Sequence, residues 1–461
     1  MNIISVLSII VFSLTTNIFS QVQFASHTIT TGANGAESVY AVDVDGDGDI
    51  DVLSTSWLDD KIAWYENDGD ENFIPHTITK DADAAWSVYA VDVDGDGDID
   101  VLSASWLDDK IAWYENDGNE NFIPHTITTS AIFAASVYAV DVNGDGDMDV
   151  LSASWVDDKI AWYENDGNEN FTTHIITTGA INAASVFAVD VDGDGDIDVL
   201  SASFFDDKIA WYENDGDENF SSHTITTGAD GALSVFAIDV DGDGDMDVLS
   251  ASFGDNIAWY ENDGNENFTT HIITTGAINA ASVYAVDVDG DGDIDVLTAS
   301  FNDDKIAWYE NDGNENFTTH TITTGADEPR SVYAIDVDGD GDIDVLSASR
   351  NDHKIAWYEN LGVVGIEAIS NEIPIEFKLG QNYPNPFNPS TIIRFSIPEE
   401  SFVTLKVFNI LGEEIATLIN ENIIVGNFEV EFYVTALPSG IYFYRLQAGS
   451  FVETKKMVFM K

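Results

Sequence analysis

Cysteine is absent from the 461 residues, which excludes disulfide frameworks, thiolate metal centres, cysteine nucleophiles and a lipidated N-terminal cysteine. Positive charge is scarce: 16 Lys+Arg face 84 Asp+Glu, for a formal net charge of −68. A surface this negative repels phosphates, so nucleic acid is excluded as a partner. Long apolar runs are missing as well. Ile3 to Leu14 is short of the roughly 20 apolar residues that span a bilayer, so no transmembrane segment is expected. Followed by Ser20-Gln21, that run reads as a secretory signal peptide over residues 1–20.

Hydrophobic residues make up 44% of the chain and aromatics 11%, enough for a core, so the acidity does not signal disorder. With thiolates excluded, a hard-cation site built from oxygen is the centre the composition allows. The acidity is also uneven. From Val363 onward the net charge is −4, with no Asp and no Trp but six of the nine prolines. Two domains are therefore expected, over residues 22–362 and 377–461, with a linker at 363–376.

The first domain is a repeat. The phrase DVDGDGDIDVL and its close variants start at Asp43, Asp92, Asp141, Asp190, Asp239, Asp287 and Asp336, in steps of 49 with one of 48. In the first copy, Ser38 to Val44, Ile50 to Ser56, Lys61 to Glu66 and Phe73 to Thr79 alternate with turn chemistry and read as four strands; no helix is expected. Four short strands repeated seven times predict an all-β, seven-bladed β-propeller. The alternative, a solenoid, would leave Val22 to Thr31 orphaned. In a ring that segment supplies the outermost strand of the last blade.

Each loop between first and second strands reads DxDxDGxxD. Carboxylates at positions 1, 3, 5 and 9, a turn Gly at 6 and a carbonyl at 7 offer oxygen alone, which suits Ca²⁺. The candidate ligands are Asp43, Asp45, Asp47, Asp49 and Asp51; Asp92, Asp94, Asp96, Asp98 and Asp100; Asp141, Asn143, Asp145, Asp147 and Asp149; Asp190, Asp192, Asp194, Asp196 and Asp198; Asp239, Asp241, Asp243, Asp245 and Asp247; Asp287, Asp289, Asp291, Asp293 and Asp295; and Asp336, Asp338, Asp340, Asp342 and Asp344. About seven structural Ca²⁺ are expected. Because each loop runs on into a strand and not a helix, an EF-hand is not predicted. With these loops, Val22 to Leu361 resembles the FG-GAP/VCBS-type repeats, the calcium-loop propeller blades of integrin α-subunit heads and many bacterial extracellular proteins. The resemblance implies an ion between the first two strands of each blade. The literal FG and GAP tripeptides are absent, so integrin-like adhesion is not carried over.

From Phe377 the phrases FKLGQNYPNPFNPSTIIRFSIP, LKVFNILGEEI and LPSGIYFYRLQAGSFVETKKMVFMK alternate as strands and predict a small Ig-like β-sandwich. They resemble the type A sorting domain of the type IX secretion system. This implies the secretion machinery as a partner and a secreted or cell-surface location.

Catalysis is not expected. The acids are nearly all copies, and seven of eight His (27, 76, 125, 174, 223, 271 and 320) share one strand position, so a repeated structural role explains them. His353 alone stands apart. The copies differ in the loops entering each blade and in the turns between second and third strands, which emerge on the face opposite the acidic loops. Trp57, Trp86, Trp106, Phe133 and Trp155 concentrate aromatics there and suit sugar stacking beside carboxylates such as Asp59 and Asp108; packing between blades is the other reading. The expected protein is a monomeric binding or adhesion module for a glycan or a protein, the alternative being the accessory or catalytic propeller of a polysaccharide-degrading enzyme.

Overall fold

The computed structural model describes residues 19–254, 256–370, 374–399, 401–412, 414–434 and 437–460. Most of the expected signal segment lies outside them. The described residues form two compact units, Ser26–Asn360 and residues 19–25 with 361–460.

The larger unit is built from four-stranded antiparallel sheets. In the first blade the strands are Ala36–Val42, Asp51–Ser56, Lys61–Asn67 and Phe73–Thr79, paired in chain order. The first strand begins two residues earlier than the sequence predicts and ends at Val42, because Asp43 already turns into the loop. Five further blades repeat this order. The seventh takes Pro329–Ile335, Asp344–Ser349 and the start of Lys354–Ser370, and its fourth strand is residues 26–30, the end of Phe19–Thr30, which pairs with the third. The expected ring closure is therefore present.

Hydrogen bonds run around the ring. The Val39 N–H donates to Ser331 Oγ at 3.4 Å, Val88 to Ser38 at 3.4 Å and Val137 to Ser87 at 3.3 Å, and the series returns through Val332 to Ser282 at 3.3 Å. Tyr40, Tyr89, Tyr138, Phe187, Phe236, Tyr284 and Tyr333 form a second closed circle, with neighbouring ring centroids 4.8–4.9 Å apart.

Between blades, large side chains meet small ones. Leu53, Ile62 and Trp64 of the first blade are buried against Ala85, Ala90 and Ala112 of the second. Each fully buried large apolar side chain contributes about 1.5–3 kcal/mol. The same division in every interface explains why the frameworks are near copies, since a larger residue on the alanine side would overpack the seam.

In the second unit, strands Ser390–Ile397 and Gly426–Tyr433 pair with Lys378–Leu379 and with residues 366–370. Strands Ser401–Phe408, Glu414–Ile423, Gly440–Ala448 and Phe451–Phe459 form the second sheet. Val403, Leu405, Phe428, Val430 and Tyr444 lie in the common core of this β-sandwich. Residues 366–370 thus belong to a sheet; the sequence places them in a linker because their partner lies some sixty residues downstream.

Candidate metal centres and the variable face

The acidic loops wind as their glycines allow. Gly46 and Gly48 adopt φ of +76° and +102°, a region that only glycine enters freely. Backbone N–H groups then turn inward: Gly46 donates to Asp43 Oδ1 at 2.8 Å, Gly48 to Asp43 Oδ2 at 3.0 Å, Asp47 to Asp45 Oδ1 at 3.1 Å and Asp49 to Asp47 Oδ1 at 2.9 Å. Asp43, Asp45 and Asp51 each bring a carboxylate oxygen within 4.8 Å of the others, and Asp92, Asp94 and Asp96, Asp190, Asp192 and Asp194, and Asp239, Asp241 and Asp243 do likewise. Asn143 keeps the pattern, its side-chain oxygen accepting from the Asp145 N–H at 3.0 Å. Asp49 lies apart, with its carboxylate against Gly69, so position 7 has only its carbonyl to offer. The donor set is all oxygen and multiply anionic, and it fits Ca²⁺.

Position 9 has a second task. Asp51 is fully buried and accepts from the Val44 N–H at 2.9 Å and the Asn67 N–H at 2.8 Å, fastening the loop to the third strand. Burial pushes it up to about 6 despite these bonds, Asp100 to about 7 and Asp344 to about 8. Asp338, at position 3, is also raised to about 7, by burial first and then by its acidic neighbours. A bound divalent cation would reverse this penalty.

Each loop is also tied to the next blade. Asn116 Nδ2 donates to Val44 O at 3.2 Å, Asn165 to Val93 O at 3.2 Å and Asn360 to Val288 O at 2.9 Å, while Asn67 closes the circle on Val337 O at 3.4 Å. The repeated AWYEN phrase carries these asparagines in plain sight, but sequence reading had no means to see that they cross blades.

The histidines are structural. His76 stacks on Trp64 with centroids 4.5 Å apart and bonds Glu66 at 2.7 Å; His27 does the same with Trp357 and Glu359 from the far end of the ring. His353 takes the place of Asp60, Asp109, Asp158 and Asp207, whose Oδ1 atoms accept a backbone N–H from the loop entering the next blade. Its Nδ1 accepts from Gly35 at 3.0 Å.

On the opposite face, Trp86 and Trp106 stack at 4.5 Å, and Trp106 and Phe133 at 5.1 Å. The Arg350 guanidinium lies 5.5 Å from the Trp86 centroid. Trp57 meets Trp86 and Trp106 edge-on, and Trp155 meets Trp106 at a tilt. The broad faces of Trp86 and Trp106 are thus covered by their neighbours. Asp59 and Asp108 are paired through Oδ2 with Lys61 and Lys110, a contact repeated at most blades.

At the centre of this face is a cavity of about 80 Å³, lined by one residue from the first strand of every blade: Glu37, Trp86, Ala135, Ala184, Leu233, Ala281 and Arg330, with Trp106 and Trp155. Arg350 bonds both Glu37 and Glu328, and Arg330 bonds Glu328. Burial raises the Glu37 carboxyl, and Arg350 opposes the shift.

The residues beside the aromatic turn positions carry no signal in the sequence that marks them as exposed. Leu58, Leu107, Val156 and Phe205 follow Trp57, Trp106, Trp155 and Phe204, and are 63%, 52%, 48% and 70% exposed. Each N–H donates to the carbonyl of the adjoining entry loop, at Asn34, Asp83, Ile132 and Ile181. Ile132, Ile181, Phe253 and Ile278 are exposed too.

Comparison with protein families matches the FG-GAP-like repeat over residues 43–103, 92–152, 141–201, 190–250, 239–298 and 287–347. The chain belongs to the FG-GAP-like repeat family. Each matched window starts at one acidic loop and runs into the second strand of the next blade, so six windows link seven loops. Residues 381–460 match the secretion system C-terminal sorting domain. No curated protein matches. Among the described residues, no helix is long and apolar enough to cross a membrane.

Proposed function

We propose that this FG-GAP-like protein is an extracellular, calcium-stabilised binding or adhesion module, directed by its signal segment and exported through the type IX machinery by its C-terminal domain. Residues 43–51 and their six counterparts hold the ions, and the opposite face holds the ligand. The observation that carries this reading is the division of labour between faces. Every blade repeats the acidic loop, whereas the cavity-lining position of the first strand reads Glu37, Trp86, Ala135, Ala184, Leu233, Ala281 and Arg330. Repeated residues serve the ring; a set with Ala at three blades and Glu, Trp, Leu and Arg at the other four breaks the seven-fold symmetry and suits one asymmetric ligand.

Glycan and extracellular-protein arrays probed with the labelled full chain in millimolar Ca²⁺ test the reading. Binding without turnover is expected, and turnover of a polysaccharide would overturn it in favour of an enzyme. Truncation after residue 362 should abolish surface delivery in the native host; normal export would remove the sorting role.

A further inference from the structure

We infer that the ligand of the variable face is a protein with an apolar, basic-rimmed surface, docked on the turn tips of blades one to four. The inference rests on the binding reading above and chooses between its two ligand classes.

The tips are the first ground. Phe205, Leu58, Leu107, Val156, Ile181 and Ile132 are 40–70% exposed and stand on adjacent blades, two to a blade at the third and fourth. Exposed apolar side chains scattered singly mean little, but a contiguous set with a polar surround marks a docking surface. The corresponding tips of the seventh blade are Asn351 and Asp327. Within the acidic loops no large apolar side chain is exposed.

Charge sets the partner's chemistry. Asp83 is exposed within the apolar crescent and Asp230 and Asp327 at its two ends, and the chain as a whole carries −68. A basic rim is complementary to that field, whereas a second copy of the chain would bring the same charge against it.

A glycan fits less well. Sugar rings stack on open aromatic faces, and here Trp86 and Trp106 are enclosed in the series Arg350, Trp86, Trp106, Phe133. The accessible tips are aliphatic side chains and one phenylalanine, which bury against apolar protein surface.

The test selects a random dodecapeptide display library on the full chain in Ca²⁺. Binders are then measured against a tip variant (Ile132→Ser, Val156→Ser, Ile181→Ser, Phe205→Ser) and a control variant on exposed outer strands (Ile74→Ser, Ile123→Ser). Linear hexaoses of glucose and of mannose are titrated in parallel, and sedimentation reports the oligomeric state. Peptides rich in Leu and Phe with Lys or Arg should emerge, weakened about tenfold or more by the tip variant and not by the control, with melting temperatures unchanged. Peptides of any other composition, or peptides indifferent to the tips, would overturn the inference. Hexaose binding that depends on the tips would leave the face reading intact and make the ligand a glycan. Tip-dependent dimerisation would make it a second copy. If no probe depends on the tips, the face reading falls as well.

Discussion

The buried aspartate at position 9 shows how one residue holds two conditions of the loop together. Asp51 accepts two backbone N–H groups and lies beside Asp43 and Asp45, so it fixes the loop and completes its negative charge. Desolvation raises these carboxyls in the folded chain, to about 6 at Asp51, about 7 at Asp100 and about 8 at Asp344, above the unfolded value near 4. A raised folded value stabilises below the unfolded value and is lost as pH rises through the folded one. In chelator, the melting temperature should therefore fall between about pH 4 and pH 8; with saturating Ca²⁺ the fall should disappear above pH 6. Melting curves across pH in both conditions check this, and a chelated protein that gains stability over that range would contradict it. The acidic loops themselves were legible in the sequence because their spacing is local. The role of His353 was not: only the fold shows its ring nitrogen accepting a backbone N–H from Gly35, a residue more than three hundred positions away.

At the scale of the element, the strand pattern and the ring closure were both readable, since apolar alternation and turn residues recur every 49 positions. What the pattern could not show is which side chains meet across blades. Trp106 reads equally well as a sugar platform or as packing, and the structure puts it between Trp86 and Phe133. Trp106→Ala should cost about 2–3 kcal/mol in chemical denaturation, somewhat below a fully buried tryptophan because the residue is only partly buried. An unchanged midpoint would return it to the role of a free contact surface. The closing strand makes a stronger demand. Removing residues 22–31 deletes His27 with its Trp357 stack and Glu359 bond and bares the edge of the third strand. A loss of several kcal/mol or aggregation is expected by calorimetry and sedimentation; a monomer that melts like the parent would refute the closure. The turn tips are not legible in the sequence for a simpler reason. Leu58, Leu107, Val156 and Phe205 stand next to conspicuous aromatics, and exposure at a turn cannot be read from residue type.

For the whole molecule, the governing fact is a charge of −68, half of it gathered into seven loops that are each strapped to the next blade through an asparagine. Like charges packed this closely oppose the ring unless cations sit among them, and an ion bound only by the folded loops stabilises the ring by mass action. The seven-fold architecture was visible in the repeat count, and six overlapping family windows describe the same seven loops. The ligand was not visible, because it depends on the few positions where the copies disagree. The most direct test of the account is calcium binding to the full chain by equilibrium dialysis, paired with calorimetric melting in chelator and in millimolar Ca²⁺. Affinities on the order of 10⁻⁴ to 10⁻³ M fit extracellular sites. About seven ions per chain and a melting temperature raised by many degrees are predicted; no bound calcium and an unchanged midpoint would contradict it.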